Sequence, residues 1–447
     1  MSKKKEEIKP ISGKKVNLFV CGPTVYDYSH LGHARTYVAF DLIVKYLRKK
    51  GLGVFYLQNI TDIDDKIINR AKETNQDPVK LSKKFAEEYF KDMDSLGVDS
   101  VDKYAFATDY ISQIIKQVQI LIDKGCAYKI NDGYYFDLAK FKDYGKLSGR
   151  TALESEDAVS RIDESIEKKN RGDFCLWKFS KEGEPVWEAP FGKGRPGWHI
   201  EDTAITETEF GPQYDIHGGA RDLIFPHHEA EIAQMESASG KKPLVRYWIH
   251  TGFLNVRSQK MSKSLGNFIT INDALKNWDS NLLRFFFLTS HYRSPIDFTE
   301  ENIINTKNSL NKLINTYAKL QEVFNGESKL LFKKYRDDFY KAMDDDINTP
   351  RALAVIFEFA NDINKTNNLS KGDAKEALKL FDEFAEMLQI TFKREVKISK
   401  EIKDLIERRE KAREDKDFAE ADKVRDELKK KGYIVEDSPT GPKVKLI

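Results

Sequence analysis

Hydrophobic residues follow two different spacings along the first part of the chain. Lys15–Val20 is a short apolar run typical of a buried strand, and Val54–Ile60 is a second strand candidate. Between them, Arg35–Leu47 carries apolar side chains at helical spacing until Gly51 and Gly53 end the helix. A strand, a helix and a strand joined by short connections predict a parallel sheet in an α/β fold.

The regular pattern breaks off in the middle of the chain and returns later. Residues Tyr128–Glu188 combine turn residues, short aromatic runs and many charges, which is typical of an insertion that interrupts the sheet domain. Strand-like sequence returns near Tyr214–His217 and Tyr247–Leu254. From Glu300 onward the apolar residues follow helical spacing, and we expect a helical bundle there.

The later part of the chain carries two further local signals. Thr349 is the expected N-cap of a helix, with Pro350 at its first position. Near the end of the chain, Tyr433–Val435 and Lys443–Lys445 predict a short hairpin that follows a very charged helical stretch. We therefore expect a small C-terminal module after the bundle.

Composition and charge narrow the class of protein. The chain has 447 residues, of which 40% are hydrophobic and 33% charged, as is typical of a soluble globular protein of several domains. No apolar run is long enough to span a bilayer and the charged start has no signal-peptide core, so we expect a cytoplasmic protein without a membrane partner. Three cysteines argue against a disulfide framework. A net charge of +2 means that a nucleic acid must meet local basic patches.

Two histidines lie three residues apart after the first predicted strand. If they begin the next helix, His30 and His33 share one face, and Gly32 between them leaves room for a nucleotide against the backbone. Unpaired N–H groups at a helix start attract phosphate. Taken alone, the pair also fits two ordinary polar residues at a helix end.

Two lysines follow about 230 residues later, in the polar, glycine-flanked stretch Arg257–Gly266, which predicts a mobile loop. Lys260 and Lys263 can neutralise the charge that builds on an α-phosphate and on departing pyrophosphate. A solvated basic loop is the usual alternative for lysines. Together with His30 and His33, however, the lysines predict a site that handles a triphosphate.

Residues of metal-binding type accompany these motifs. Cys21 follows the first predicted strand, and His227 and Glu231 lie four residues apart in a segment opened by Pro226, where both can project from one helical turn. A thiolate, an imidazole and a carboxylate are zinc ligands, and three protein ligands leave a position for a substrate. A soft metal prefers a thiolate to a hydroxyl. If the substrate is an amino acid, the metal would therefore select cysteine over serine. Each residue alone also fits a structural role.

The histidine and lysine motifs together resemble those of class I aminoacyl-tRNA synthetases. That resemblance implies a Rossmann-type domain that activates an amino acid with ATP and Mg²⁺ and then esterifies the terminal ribose of a tRNA. Over nearly the whole chain, the sequence closely resembles the cysteinyl-tRNA synthetase family. The matching peptides are Cys21-Gly-Pro-Thr-Val-Tyr26, Asn59-Ile-Thr-Asp-Ile-Asp-Asp65, Gly197-Trp-His-Ile-Glu201, Asp215-Ile-His-Gly-Gly219, Phe225-Pro-His-His-Glu229 and Lys260-Met-Ser-Lys-Ser264.

This resemblance implies roles for individual residues, with L-cysteine, ATP and tRNA(Cys) as partners of a monomer. The implied catalytic residues are His30, His33, Lys260 and Lys263. Those implied to bind ATP are Gly32, His30, His33, Asp215, Gly219 and Lys263. Those implied to bind cysteine are Cys21, Gly22, Thr24, Thr61 and Trp198. The zinc ligands by the same likeness are Cys21, His227, Glu231 and a fourth residue.

The fourth zinc ligand departs from the family pattern. The family usually has a cysteine directly after Gly-Trp-His-Ile-Glu, whereas this chain has Asp202. An aspartate carries the same formal charge as a thiolate but is a harder ligand and donates less to zinc. We expect Asp202 to bind zinc more weakly than a cysteine would; three protein ligands with a water, or no metal at all, are the alternatives.

The resemblance also implies a division of the chain into six regions. They are a Rossmann first half (1–127), a connective insertion (128–190), a Rossmann second half (191–258), the lysine loop with a stem-contact region (259–300), a helical bundle (301–392) and a C-terminal anticodon-binding module (393–447). In that last module, basic residues offer phosphate contacts, namely Arg408, Arg409, Arg413 and Lys416.

Two other functions are compatible with parts of the sequence. A ligase that joins cysteine to a small amine could use the same catalytic half, but it has no need of the bundle and the C-terminal module. A catalytically silent tRNA-binding paralogue is the other alternative, against which the intact histidine and lysine motifs argue.

Overall fold

The structure, a computed structural model, describes residues 5–150, 167–261, 267–322, 324–394, 400–415, 417–436 and 442–446. Its strands are β1 (Lys15–Val20), β2 (Gly53–Ile60), β3 (Lys103–Phe106), β4 (Ala127–Ile130), β5 (Gly133–Phe136), β6 (Phe174–Lys178), β7 (Arg195–Pro196), β8 (Tyr214–Ala220), β9 (Val245–Thr251), β10 (Leu254–Val256), β11 (Gln259–Lys260), β12 (Ile296–Phe298), β13 (Tyr433–Glu436) and β14 (Lys443–Leu446). Its helices are α1 (Leu31–Lys49), α2 (Asp65–Glu73), α3 (Pro78–Ser95), α4 (Ile111–Asp123), α5 (Trp198–Phe210), α6 (His227–Ser239), α7 (Ile271–Asn277), α8 (Ser280–Leu288), α9 (Glu300–Lys319), α10 (Phe332–Asp344), α11 (Thr349–Lys365), α12 (Lys371–Leu388), α13 (Lys400–Glu414) and α14 (Phe418–Lys430).

A parallel sheet in the order β3-β2-β1-β8-β9 forms the centre of the fold and confirms the predicted α/β class. Both faces of β1 are covered. Val16, Leu18 and Val20 pack into one apolar cluster with α1, whereas Phe19 and Cys21 belong to a second cluster that contains residues of α5 and α6. Because successive side chains of a strand point to opposite faces, Cys21 lies on the side of α5 and α6.

The chain inserts a small antiparallel sheet, in the order β4-β5-β6-β7, between α4 and α5. Glu229 on α6 binds this insertion. Its fully buried carboxylate accepts hydrogen bonds from the backbone N–H groups of Gly145, Leu147 and Ser148 at 3.1, 2.8 and 2.6 Å. The insertion is thereby fixed against the helix that begins with His227.

Helices and a hairpin make up the last third of the chain. Helices α9 to α12 pack on the same apolar cluster as α1. The predicted hairpin is confirmed, since β13 and β14 pair antiparallel. Helices α13 and α14 enclose a small core that includes Ile402, Leu405, Val424 and Leu428. Among the described residues, no helix has the length and apolar character needed to cross a membrane.

Two local details differ from the expectations. The N-cap of α11 is Asn348, whose side chain accepts a hydrogen bond from Arg351 N, and Thr349 is therefore the first helical residue. The strand pattern expected up to Leu254 belongs to two sheets, because β9 ends before it and β10 joins a second sheet in the order β11-β10-β12. The bounds of the six predicted regions stay a prediction.

The basic side chains of the C-terminal module differ in their availability. Arg409 is 3% exposed, so its predicted phosphate contact is wrong: the side chain packs inside the module. Arg408 forms an ion pair with Glu420 on α14. Arg413 is exposed, and Lys416 lies outside the described residues. Of these three arginines, Arg408 and Arg413 are exposed and Arg409 is buried.

A buried ion pair joins the first helix of the sheet domain to α8. Arg284 Nη2 lies 2.9 Å from Asp41 Oδ2, with both side chains almost fully buried. Arg284 Nη1 also donates to the carbonyl oxygens of Leu96 and Gly97 at 2.9 and 3.0 Å. The guanidinium thus connects three parts of the chain at one point. Asp41 supplies the negative charge that compensates the buried guanidinium.

We expect Asp41→Asn to lower the free energy of unfolding by about 3 kcal/mol, because the Arg284 guanidinium would stay buried without its anion. Urea unfolding followed by circular dichroism measures the change. Lys50→Gln is the control: it breaks an exposed pair with Asp344 at 3.0 Å and should cost less than about 1 kcal/mol. Equal losses in the two variants would contradict this account.

Candidate active site

The carboxyl ends of the central strands open into a cavity of about 570 Å³. Ligands of open α/β sheets bind at this edge. Ten of the residues expected at the site line this cavity, namely Cys21, Gly22, Thr24, His30, Gly32, His33, Thr61, Trp198, Asp202 and His227. The structure therefore brings the predicted phosphate and metal residues into one place.

His30 is the N-cap of α1. Its Nδ1 accepts the backbone N–H groups of Gly32 and His33 at 3.1 and 3.3 Å, and its ring stacks on that of His33 with centroids 3.8 Å apart. The expectation of unpaired N–H groups at this helix start is wrong for these two residues. A neutral imidazole that accepts through Nδ1 carries its proton on Nε2, so His30 keeps an N–H donor at Nε2.

Gly32 is required by the capping arrangement itself. A Cβ at this position would lie 2.8 Å from His30 Cε1 and 2.9 Å from His30 Nδ1, which is closer than side-chain atoms approach. Met261 lies on another side, with Cε 3.5 Å from the same point. The absence of a side chain at Gly32 therefore makes room for the His30 imidazole, whereas the sequence predicted room for a nucleotide.

The described residues on either side of Lys263 pair with β10 before it and with the start of α1 after it. Lys260 ends β11, which pairs antiparallel with β10 through Asn255. Beyond the segment, Leu31 N donates to Ile269 O at 3.1 Å. Lys263 itself lies outside the described residues. The chain on either side of it nevertheless meets the wall of the cavity.

The four predicted metal ligands meet at the end of β1. One ligand atom from each of Cys21, Asp202, His227 and Glu231 lies within 4.8 Å of the others, and all four residues are buried. His227 Nε2 is 3.0 Å from Asp202 Oδ2 and 3.2 Å from Glu231 Oε1. The strand contributes the thiol, α5 the aspartate, and two successive turns of α6 the other two ligands.

The chemistry of this cluster fits a cation. Both carboxylate oxygens of Glu231 are buried, and within the described part of the chain neither accepts a hydrogen bond. Burial, with the charge of Asp202, raises the pKa of Glu231 well above its usual range. Burial also raises the pKa of the Cys21 thiol, and the two carboxylates add to the shift. Zinc accepts sulfur, nitrogen and oxygen donors together and would stabilise their deprotonated forms.

A second set of possible ligands overlaps the first and was not predicted. It consists of Cys21, His217, His228 and Glu231. Cys21 Sγ lies 3.3 Å from His217 Nε2 and 3.2 Å from His228 Nε2. The register of β1 against β8 pairs Phe19 with His217, so strand alternation was a signal for the shared face. His228 adjoins a predicted ligand in the sequence and gave no separate signal.

Five of the eight histidines of the chain crowd around this cluster, namely His199, His217, His227, His228 and His250. Burial lowers the pKa of His199, His217 and His228 well below the usual range, and the neighbouring imidazoles add to the effect. Burial, with the charge of Arg221, lowers the pKa of His250 to about 4. The rings of His199, His217, His228 and His250 are therefore neutral near pH 7, and each keeps a lone pair.

Residues expected to bind the amino acid surround the cluster on the cavity side. Trp198 is the first residue of α5, and its ring stacks on that of His227 with the centroids 4.3 Å apart. Thr61 Oγ1 donates to Glu201 Oε2 at 3.0 Å. The backbones of Thr24 and Thr61 form an isolated parallel β-bridge just beyond the ends of β1 and β2. Burial and nearby carboxylates raise the pKa of Glu201 well above its usual range. The pocket wall therefore combines an aromatic face with hydroxyl groups.

Family models match the chain along most of its length. A model described as the tRNA synthetases class I (C) catalytic domain matches residues 7–308. The chain belongs to the cysteine–tRNA ligase family. A DALR domain matches residues 338–393, and the cysteinyl-tRNA ligase anticodon binding domain matches residues 396–443. The resemblance noted in the sequence is confirmed, and the chain is an aminoacyl-tRNA ligase.

Similar proteins named cysteine–tRNA ligase share almost the full length of the chain. That of Thermococcus onnurineus is 46% identical and covers 99% of this chain and 97% of its own. Those of Methanococcus maripaludis strain C7 and Thermoplasma volcanium are 47% and 46% identical, each over 98% of this chain and 96% of the relative. At this identity and coverage, the family relation extends to every region of the chain.

Solved structures with a similar fold are other class I synthetases. Methionyl-tRNA synthetase of Mycobacterium tuberculosis in complex with methionyl-adenylate has a TM-score of 0.60 at 16% identity, over 84% of this chain and 89% of that one. The LeuRS of Agrobacterium radiobacter K84 has a TM-score of 0.61 at 10% identity, over 86% and 85%. The likeness concerns the fold, and it confirms the Rossmann-type architecture expected for the family.

Two residues expected to hold the adenosine, Asp215 and Gly219, are not among the residues that line the cavity. Asp215 is the second residue of β8 and does not line the cavity. Its two oxygens accept the backbone N–H groups of Ile11 and Asn17 at 2.6 and 2.9 Å. Gly219 lies near the other end of the strand, where a Cβ would meet His228 Cε1 at 3.1 Å. Gly219 thus makes room for a histidine of the buried cluster.

We expect Asp215→Asn to lower the free energy of unfolding by about 1.5–3 kcal/mol, because an amide nitrogen would face a backbone N–H that the carboxylate now accepts. The KM for ATP should change by less than ~2-fold, since the carboxylate lies outside the cavity. Urea unfolding and pyrophosphate-exchange kinetics measure the two effects. A rise of about tenfold in this KM at unchanged stability would instead assign the carboxylate to ATP binding.

Proposed function

We propose that the chain activates L-cysteine with ATP and Mg²⁺ to cysteinyl-adenylate and transfers the cysteinyl group to the 3′ end of tRNA(Cys). The cysteine carboxylate attacks the α-phosphate and pyrophosphate leaves; a ribose hydroxyl of the tRNA then displaces AMP. The observation that carries the proposal is one cavity shared by the stacked His30–His33 pair and the buried Cys21, Asp202 and His227. A phosphate site and a soft-metal site in one cavity fit an amino acid that bears a thiol.

The first half of the reaction requires positioning and charge stabilisation rather than a covalent intermediate with the enzyme. His30 and His33 donate hydrogen bonds to phosphate oxygens of ATP, with Gly32 between them. Lys260 and Lys263 neutralise the charge on the departing pyrophosphate. The support for this assignment is the capped and stacked histidine pair at the cavity wall.

The amino-acid side of the cavity holds Zn²⁺ through Cys21, Asp202, His227 and Glu231. Zinc bound there supplies a soft Lewis acid that prefers the thiolate of cysteine to the hydroxyl of serine. The orphaned, buried oxygens of Glu231 are the observation that favours a cation at this place. Because Asp202 is a harder ligand than a thiolate, we expect weaker zinc binding than in a site with cysteine at this position.

The remaining pocket residues orient the amino acid. Gly22 and Thr24 follow β1 at the edge of the cavity, and Thr61, directly after β2, pairs with Thr24. The Trp198 ring stacks on His227, and both residues line the cavity. A cysteine whose thiol reaches the metal ligands would therefore lie between hydroxyl groups and an aromatic face, with its carboxylate toward the histidine pair.

The second half of the reaction requires tRNA recognition far from the cavity. The helical bundle and the C-terminal module bind tRNA(Cys), and the exposed Arg408 and Arg413 contact its phosphates. The support is the match of residues 396–443 to an anticodon binding domain and the names of the full-length relatives. We further propose that the enzyme acts as a monomer in the cytoplasm, which agrees with three free cysteines.

We expect Cys21→Ser to hold less than about a tenth of an equivalent of zinc, because it replaces the sulfur donor with a poor ligand. Cysteine-dependent exchange of pyrophosphate into ATP should fall about 100-fold or more. Elemental analysis and exchange kinetics measure both. Cys126→Ser, at a half-buried cysteine that belongs to neither set of possible metal ligands, is the control and should keep zinc and exchange. Full cysteine-dependent exchange by a zinc-free Cys21→Ser enzyme would refute the metal's role.

A further inference from the structure

Asn59, at the carboxyl end of β2, contacts the unusual aspartate of the cluster. Its Nδ2 donates to Asp202 Oδ1 at 2.7 Å, and both residues are at least 98% buried. The second N–H of the same amide points toward Thr61 Oγ1 at 3.3 Å. The amide therefore uses both of its donors inside the pocket wall, and the shorter bond goes to the carboxylate.

The backbone of Gly22 determines which way this amide faces. Gly22 N donates to Asn59 Oδ1 at 2.6 Å. A backbone N–H can only donate, so it must face the oxygen of the amide, and the Nδ2 group must then face Asp202. The orientation of Asn59 thus follows from the hydrogen-bond network, and the reversed amide would place two donors against each other.

The position of Asn59 is fixed as firmly as its orientation. A Cβ added at Gly22 would lie 1.6 Å from Asn59 O, so the two backbones approach more closely than any other residue at position 22 would allow. The same glycine directly follows Cys21. One close contact between β2 and the loop after β1 therefore fixes the Asn59 amide relative to the thiol as well as to the carboxylate.

The two oxygens of Asp202 have different partners as a result. Oδ1 accepts from Asn59, whereas Oδ2 lies 3.0 Å from His227 Nε2, within the ligand cluster. A hydrogen bond to one oxygen of a metal-bound carboxylate favours binding through the other oxygen alone and fixes its direction. A thiolate has a single donor atom and needs no such selection.

We propose that Asn59 is the positioning residue for Asp202 and directs this carboxylate to the metal through Oδ2 alone. The inference rests on the zinc site of the proposed function and adds to it a residue that does not touch the metal. It also explains how a four-ligand site can use an aspartate in place of a thiolate: the amide occupies the oxygen that would otherwise compete for the ion. The role of Asn59 should therefore depend on the residue at position 202.

A double-mutant cycle tests this dependence. The four proteins are the wild type, Asn59→Leu, Asp202→Cys and the double variant, and the measured quantity is the zinc Kd from competition with a chromogenic chelator at one pH. In the Asp202 background, Asn59→Leu should raise the Kd by about 10–100-fold. In the Asp202→Cys background the same change should raise it by less than ~3-fold, because a thiolate has no second oxygen to direct.

The cycle separates positioning from a merely structural role. Asn59→Leu removes the hydrogen bonds to Gly22 and Thr61 in both backgrounds. Their effect therefore cancels when the two changes in zinc Kd are compared. An equal rise of the zinc Kd in both backgrounds, or no rise in either, overturns the inference while leaving the metal site intact. A wild type that holds no zinc refutes the metal site itself, and Asn59's role with it.

A second measurement covers the case in which Asn59→Leu does not fold. The crystal structure of the zinc-loaded wild type should have Asp202 bound through Oδ2, with Oδ1 still within hydrogen-bond distance of Asn59 Nδ2. Coordination through Oδ1, or through both oxygens equally, would overturn the inference directly.

Discussion

The burial of several ionisable groups around one thiol is the constraint on which the rest of the site depends. Cys21, Asp202 and Glu231 offer up to three negative charges in a place almost without access to water. Burying each such charge costs several kcal/mol unless protons or a cation compensate it. The neutral histidines around them supply lone pairs but no positive charge. A bound metal ion would resolve this conflict and would turn a costly cluster into a selective pocket.

The central sheet brings this cluster to the phosphate site with very few residues. β1 ends at the cluster, and the chain then passes along the cavity to the N-cap of α1, where His30 begins the histidine pair. Side chains alternate along β1, so that Val16, Leu18 and Val20 pack with α1. Cys21, directly after the strand, packs with α5 and α6. One strand and its loop therefore carry residues of both proposed binding sites, and Asn59 on the neighbouring strand connects the loop to the aspartate.

The sequence predicted the α/β class, the helix after β1, the C-terminal hairpin and ten of the residues that line the cavity. It missed His217 and His228, because their contact with Cys21 depends on the register of β8 and on the packing of α6. The family motif predicted that Asp215 binds ATP, whereas its carboxylate accepts hydrogen bonds from the backbone N–H groups of Ile11 and Asn17. Buried hydrogen bonds between distant segments, such as that of Asn59, have no signature in local spacing.

Zinc K-edge absorption spectroscopy of the zinc-loaded protein, with and without L-cysteine, tests the central claim most directly. The free protein should have one sulfur ligand at about 2.3 Å, from Cys21, beside nitrogen and oxygen ligands. Addition of L-cysteine should raise the sulfur count to two, because the substrate thiolate joins the site, whereas L-serine should leave it at one. A sulfur count that does not change on addition of L-cysteine would contradict the account.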